Sequence, residues 1–468
     1  MDHAYLPEPW RIKAVEPMSR PAPATLHASL RKAGFNTCLL HSRDVYIDLF
    51  TDSGTNAMSA AQWAAMMVGD EAYAGATSFY RFHDTIRGYY GYEHIIPVHQ
   101  GRAAENIISQ CLVWPGSNLP GNMYFPSTRI HQELNGGTFH DAIIDEGHDP
   151  SSAHPFKGNF DIGKLRDLIK RLGAATIPYV CVGATVNMAG GQPISMANLA
   201  AVRELANEHG IMVVLDAARA IENAWFIKTR EEEWRDRSIA EILLAMCDLT
   251  DAATMSAKKD SFANIGGWLG VRSAELAEQA RSKVLLYEGL HTYGGMAGRD
   301  MEAIAQGIEE SVQEDSIRAR VEQVAYLGNR LIAADVPVVM PIGGHAVYLD
   351  AAATLSHVPR EEFPAQTLAA AIYERSGVRG VERGAISAGR HPETGANRMP
   401  KLELVRFAIP RRVYTRSHMD FVADSIIDVH RSRHRILRGL RFVHEPKHLR
   451  FFQARFEPMQ GSELFADE

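Results

Sequence analysis

The sequence predicts an α/β protein in which helices cover a mostly parallel sheet, with a smaller α+β domain beside it. Three observations predict it. Short apolar runs alternate with amphipathic stretches through the first two thirds of the chain, the βαβ rhythm of a parallel sheet buried on both faces. After about Gln306 that rhythm gives way to a long amphipathic stretch followed by shorter elements. The chain has 468 residues, 46% hydrophobic and 22% charged, enough for a sizeable core when a typical domain takes roughly 150 residues.

Taken in order, the segment 1–56 carries Pro7, Pro9, Pro17, Pro21 and Pro23. It cannot build its own core and is expected to form an arm that joins the small domain. The large domain is expected over 57–310. Its strands include runs ending at Tyr124-Phe125, at Val182 and at Leu215, the last bounded by His209-Gly210 and by Asp216. Helices are expected over 103–112 and 196–209. From Gln306 one long helix is expected through Leu331, then strands over 338–340 and 346–349 around Gly343-Gly344, within a small domain over 311–468. The basic stretch 430–441, HRSRHRILRGLR, reads as the solvated face of a late helix, because Ile436, Leu437 and Leu440 recur at helical spacing.

Forty-nine basic residues against 56 acidic ones give a net charge of -7. With no one-sided block, neither nucleic acid nor another polyanion is an expected partner. No window approaches the ~20 apolar residues of a membrane helix. Cysteines 38, 111, 181 and 247 are too scattered for a disulfide framework or a CxxC metal site, and MDHAYLPEPW lacks a signal-peptide pattern. A reducing cytoplasm is the expected compartment.

Three constellations carry chemistry. In Met255-Ser256-Ala257-Lys258-Lys259-Asp260, a lysine that condenses with an aldehyde must lose its proton near neutrality, and an adjacent cation favours that loss. Lys258 is expected to act so on Lys259, and Ser256 to bind a phosphate. Asp216 follows the strand Met212-Val213-Val214-Leu215 and would face the ligand crevice of a parallel sheet, where an acid can hold a protonated pyridine nitrogen; a helix N-cap is the equally good local reading. Val98-His99-Gln100-Gly101-Arg102 leads into a helix whose first N–H groups, with Arg102, suit an anion.

These stand in one order with Phe125, Asn187 and Arg219, inside longer words that are highly specific: PEPWRIK at 7–13, YIDLFTDSGTNAMS at 46–59, GDEAYAG at 69–75, TVNMAGGQPISMANL at 185–199, MSAKKD at 255–260, YGGMAGRDMEA at 293–303 and EFPAQTLAAAIY at 362–373. Through them the chain resembles, over nearly its whole length, the β-eliminating lyases, the pyridoxal-phosphate enzymes comprising tyrosine phenol-lyases and tryptophanases. The resemblance implies fold type I, the aspartate-aminotransferase architecture, and a homotetramer that releases pyruvate and ammonia from a β-substituted amino acid.

Position by position, the resemblance makes Lys259 the Schiff-base lysine, with Lys258 beside it, and Asp216 the partner of the ring nitrogen. Gln100, Gly101, Arg102 and Ser256 would hold the phosphate, Phe125 would stack on the ring, and Asn187 and Arg219 would bond its 3-oxygen. Arg406 would clamp the substrate carboxylate, with Thr51 and Ser53 beside it. Tyr73 would protonate the leaving ring in a neighbouring subunit's site, with Tyr293 lining that interface. Glu71, with the backbone oxygens of Gly54 and Asn264, would hold potassium.

The leaving-group positions give mixed testimony. Arg383 and the pair Phe451-Phe452 match the phenol-releasing branch. Pro126, where that branch has a threonine whose hydroxyl works with the arginine, can donate no hydrogen bond, and Cys38 and Leu290 are expected to alter the apolar wall. A lyase for tyrosine or a modified tyrosine is the leading expectation. A lyase for S-substituted cysteine or another β-substituted amino acid, a tryptophanase, and a cofactor-binding subunit without activity are the alternatives, in that order.

Overall fold

Apolar runs of four or five residues, bounded by glycine or a charge, become the strands of a seven-stranded sheet in the computed structural model, which describes residues 6–459, 461 and 463–466. Ahead of the sheet the arm supplies β1 (Ile47–Asp48). The sheet itself comprises β2 (His94–Val98), β3 (Asn118–Gly121), β4 (Thr138–Asp141), β5 (Tyr179–Gly183), β6 (Met212–Asp216), β7 (Ala252–Ser256) and β8 (Gly267–Val271), in the spatial order β2-β8-β7-β6-β5-β3-β4. β8 alone runs against its neighbours; the strands from β7 across to β4 pair in parallel. Every residue of β7 and β8 is buried, so AATMS and GWLGV carry no polar alternation. Val213 and Leu215 enter one hydrophobic core and Val214 the core on the other face, as strand geometry requires.

A further core joins the two ends of the chain. Leu26 and Leu30, from the helix Pro23–Lys32, pack in one cluster with Val324, Leu327 and Leu331 and with Val405 and Phe407. Around this core lie β9 (Ala346–Asp350), β10 (Val378–Arg379), β11 (Val381–Arg383) and β12 (Leu404–Ala408), with β1 pairing in parallel to β10 and an antiparallel sheet of order β11-β12-β9. A ribbon of β13 (Leu440–His444) and β14 (Arg455–Pro458) closes the chain. Among the described residues no helix is long and apolar enough to cross a membrane.

The structure corrects four element boundaries. β3 stops at Gly121, before Tyr124-Phe125. Beyond it Asn122 bonds the backbone of Gly158 and Gly183, Met123 turns into the left-handed region at φ 73°, and Pro126 opens the helix Pro126–Leu134 with Phe125 as its N-cap. The single helix expected from Gln306 is two, Gly298–Ser311 and Glu314–Ile332; Glu314 and Asp315 favour a fresh helix N-terminus there. Of 338–340, only Val338 makes a β-bridge, to Leu349. The basic stretch 430–441 is not one helix: Arg416–Ser432 ends inside it, and β13 begins at Leu440. Gly439 lies against the Glu362 carbonyl so closely that a Cβ would stand 2.1 Å away, and Arg438 pairs with Glu362. Ile436 and Leu440 are buried while Leu437 is exposed, a spacing a helix would also give, so the pattern alone misleads here.

Candidate active site

The candidate site assembles at the C-terminal edge of the parallel strands, where such sheets leave a crevice. β2 runs out to Gln100, β5 to the loop holding Asn187, β6 to Asp216, and β7 to Ser256 with Lys258 and Lys259 in the turn beyond. β11 and β12 bring Arg383 and Arg406 from the other side. Together they enclose a cavity of about 270 Å³ lined by Thr51, Ser53, Gln100, Gly101, Arg102, Phe125, Pro126, Asn187, Asp216, Arg219, Ser256, Lys258, Lys259, Arg383, Arg406, Phe451 and Phe452. Tyr73, Tyr293, Gly54, Glu71 and Asn264 lie outside its lining. So do Cys38 and Leu290 in the single protomer, though Arg383 stands close enough to Cys38 for its charge to act on the thiol. Cys38 packs against the small core, and the Leu290 carbonyl accepts from the backbone of Tyr293 and Gly294.

One end of the cavity is built for a polyanion. The helix Gly101–Leu112 has Gln100 at its N-cap with no side chain satisfying its first N–H groups, so those donors face the cavity mouth. Gly101 is required there, since a Cβ would sit 2.7 Å from the Cβ of Ser256. The guanidinium carbon of Arg102 lies 5.5 Å from the Phe452 ring centre.

Asp216 is not a helix cap, because the next helix begins at Ala220 with Arg219 as its N-cap. One Asp216 oxygen accepts from the Ala218 N–H at 3.1 Å, and the residue lines the cavity. Lys259 has its pKa pushed down to about 8 by burial and by the nearby Arg219 cation, against the pull of Asp216. Lys258 is not the neighbour responsible. Its ammonium turns to the Gln100 side-chain oxygen at 3.2 Å, since successive residues of the turn diverge.

Buried arginines fall into two groups. Arg219 makes a two-pronged bond to Asp52 through Nε and Nη2, at 3.0 and 2.7 Å, which fixes its guanidinium at the cavity wall. Arg411 pairs with Asp52, Glu222 and Asp260. Burial opposes ionisation of Asp52, yet Arg219 and Arg411 hold its carboxyl well below the usual range. Arg383 and Arg406 are different. Arg406 reaches only Asn187 Oδ1 at 3.3 Å and the Phe50 carbonyl at 2.9 Å; Arg383 reaches the Glu382 carbonyl and Ser387. The Nε of each is buried without a partner. Burial disfavours both cations, and each is held further down or up only by its neighbours, Arg406 by the Arg383 charge. Two buried guanidinium groups lacking a carboxylate call for anionic or oxygen-rich ligand groups.

Sequence reasoning missed four contributors. Glu105, on the buried face of Gly101–Leu112, lines the cavity with an unpartnered Oε2, its pKa raised to about 7 by burial and by Asp216. A lone acid among Ala104, Ile107 and Ile108 was the available signal. His345 and Tyr348 bond Asn187 from β9 and the turn before it, and Asp52 anchors Arg219. The presumed cation ligands separate in one protomer: Asn264 bonds the Gly54 carbonyl at 3.1 Å, while Glu71 meets Arg299 and the Gly298 N–H. Tyr73 is 73% exposed and packs on Tyr293 with ring centres 5.3 Å apart.

Residues 48–425 match the family model described as beta-eliminating lyase. The chain is 60% identical to a tyrosine phenol-lyase of Nostoc punctiforme over 96% of each chain. It is 58% identical to that of Symbiobacterium thermophilum over 97% of this chain and 98% of the other, and 56% identical to that of Pasteurella multocida over 97% and 99%. Among solved structures, the serine palmitoyltransferase of Sphingomonas wittichii matches with a TM-score of 0.54 at 15% identity, covering 82% of this chain and 87% of that one, a likeness of fold.

Proposed function

The chain belongs to the β-eliminating lyase family, and from that premise we propose that it cleaves L-tyrosine, or a ring-modified tyrosine, with water to a phenol, pyruvate and ammonia, using pyridoxal phosphate. The observation that carries the reading is the pair Arg383 and Arg406, buried and without carboxylates on one side of the cavity that Lys259 enters. An amino acid with a carboxylate at one end and a phenolic oxygen at the other satisfies both.

The cofactor fits the residues present. The uncapped helix start at Gly101, with Gln100, Arg102 and Ser256, would hold its phosphate; Phe125 would face the ring and Asp216 its nitrogen; Asn187 would reach the 3-oxygen. When bound, the cofactor supplies an electron-accepting ring conjugated to the substrate's α-carbon. The protein does the rest. Arg406, steadied by Asn187, orients the α-carboxylate beside Thr51 and Ser53. Lys259 Nζ, whose ammonium is disfavoured, takes the α-proton. Arg383 holds the phenolic oxygen, and Phe451 and Phe452, stacked 3.9 Å apart, keep water from that end. Arg219, fixed by Asp52, would join Asn187 at the 3-oxygen and also disfavours the charge of Lys259.

Tyr73 would deliver the ring proton in a second copy, within a homotetramer whose interface covers the Tyr73–Tyr293 surface. Glu71, Gly54 and Asn264 would hold potassium where copies meet, and the cytoplasm would suit four free thiols. Pyruvate release from L-tyrosine, L-tryptophan and S-methyl-L-cysteine by the purified protein tests the reading. Turnover of tyrosine is expected; turnover of the thioether alone, restored to phenol release by Pro126→Thr, would replace it with the S-substituted cysteine reading.

A further inference from the structure

A second cavity, of about 450 Å³, adjoins the first and shares with it Met123, Tyr124 and Arg383. Its size lies within the ~300–1,000 Å³ of small-ligand pockets. Met188, Met399 and Leu402 make much of the remaining wall. The charged groups there are largely spent on one another, His148 with Asp141 at 2.8 Å and Lys164 with Asp145 at 2.7 Å. Apart from these pairs, Lys401 and Arg383, the wall is apolar and rich in thioethers, side chains that adapt their shape and favour aromatic rings.

The common wall is unusual in two ways. The Tyr124 hydroxyl and Arg383 Nε are both buried with no hydrogen-bond partner, so two polar atoms on the residues shared by the chambers stand ready for an oxygen-bearing ring. Met123 holds a left-handed backbone at φ 73°, a conformation that costs roughly 1 kcal/mol or more for a residue with a Cβ. It also touches two separate apolar clusters, one with Val339 and Leu402 and one with Ile143 and Val186. A flexible side chain on a strained backbone thus forms the partition.

We propose that the chamber is a second binding site for a small phenol, which passes the Met123 partition on leaving the catalytic cavity. The identity of the ligand rests on the tyrosine-cleaving reading; the existence of the site does not. Phenol released beside Arg383 exchanges one oxygen contact for another along the shared wall and so vacates the catalytic cavity.

Equilibrium dialysis of the full, cofactor-loaded chain against labelled phenol tests this. Two saturable phenols per chain are expected for the native protein, and one for Met188→Trp and for Met399→Trp, whose indoles fill the chamber. Met399 is 39% exposed, so its variant keeps the test informative if Met188→Trp does not fold. One phenol per native chain, or two in a folded variant, overturns the proposal. Pyruvate release, measured separately, keeps the readings apart: turnover of tyrosine with one bound phenol sinks the chamber alone, and two phenols without turnover sink the lyase reading alone.

Discussion

Lys259 owes its depressed pKa to burial and to a cation that lies forty residues away in sequence rather than next door. Arg219 is held in place by Asp52, and with burial it lowers the Lys259 pKa to about 8. In the cofactor-free chain, the rate of pyridoxal phosphate uptake should therefore rise with pH to an inflection near 8. Arg219→Gln should move that inflection up, toward an ordinary lysine, by a unit or so on the ~1.4 kcal/mol per unit scale, and Lys258→Gln should leave it in place. Glu105 supplies the opposite case. Its folded-state pKa is raised, so its contribution to stability is complete below the unfolded value of about 4.3 and is lost as pH rises through about 7. Glu105→Gln should accordingly flatten part of the fall in stability between about pH 4.5 and 7, with little change at pH 4 and no further divergence from the native protein above pH 7. Neither effect is readable from adjacency: a Lys-Lys pair in sequence says nothing of which way two side chains leave a turn.

At the scale of elements, Pro126 has a structural reason. It is buried at the first turn of Pro126–Leu134, where a missing N–H costs nothing and a fixed φ favours the helix. Pro126→Thr should cost about 0.5–1 kcal/mol of stability by freeing the unfolded chain. If the threonine hydroxyl then reaches the phenolic oxygen, kcat/KM for L-tyrosine should rise about tenfold to hundredfold, the value of one buried hydrogen bond, with S-methyl-L-cysteine unaffected. Strands β5 and β6 and the helices Gly101–Leu112 and Met196–Glu208 were legible because burial and period coincide in them. The ends of elements were not. β3 stops where Asn122 side-chain bonds take over from the ladder, and in the late basic stretch, past the helix end at Ser432, Gly439 is held against Glu362 across 77 positions. Such tertiary contacts leave no local period to read. The cavity lining was legible to a greater extent, since the long words that carry the family resemblance also carry most of its residues; Glu105, His345, Tyr348 and Asp52 fall where side chains from several elements meet.

At the scale of the molecule, the charged network around Asp52 ties together the arm, the turn after β6, the turn after β7, the helix Glu314–Ile332 and the segment after β12, through Arg219, Asp260, Arg320 and Arg411. If Tyr73 serves a neighbouring copy, then Tyr73→Phe and Lys259→Ala should each abolish tyrosine turnover, while co-refolding the two should recover about a quarter of native activity, the statistical share of sites pairing an intact Lys259 with an intact Tyr73. No recovery would place both groups in one protomer's site. Asp52 has a last consequence. It stands between Thr51 and Ser53, so one short stretch lines the cavity with its outer two residues while its middle one is pinned among arginines from distant parts of the chain. If Thr51 and Ser53 serve the substrate, its recognition and the anchoring of the arm are thus written in consecutive codons, and a designer wishing to retune the first must work around a residue that the second will not release.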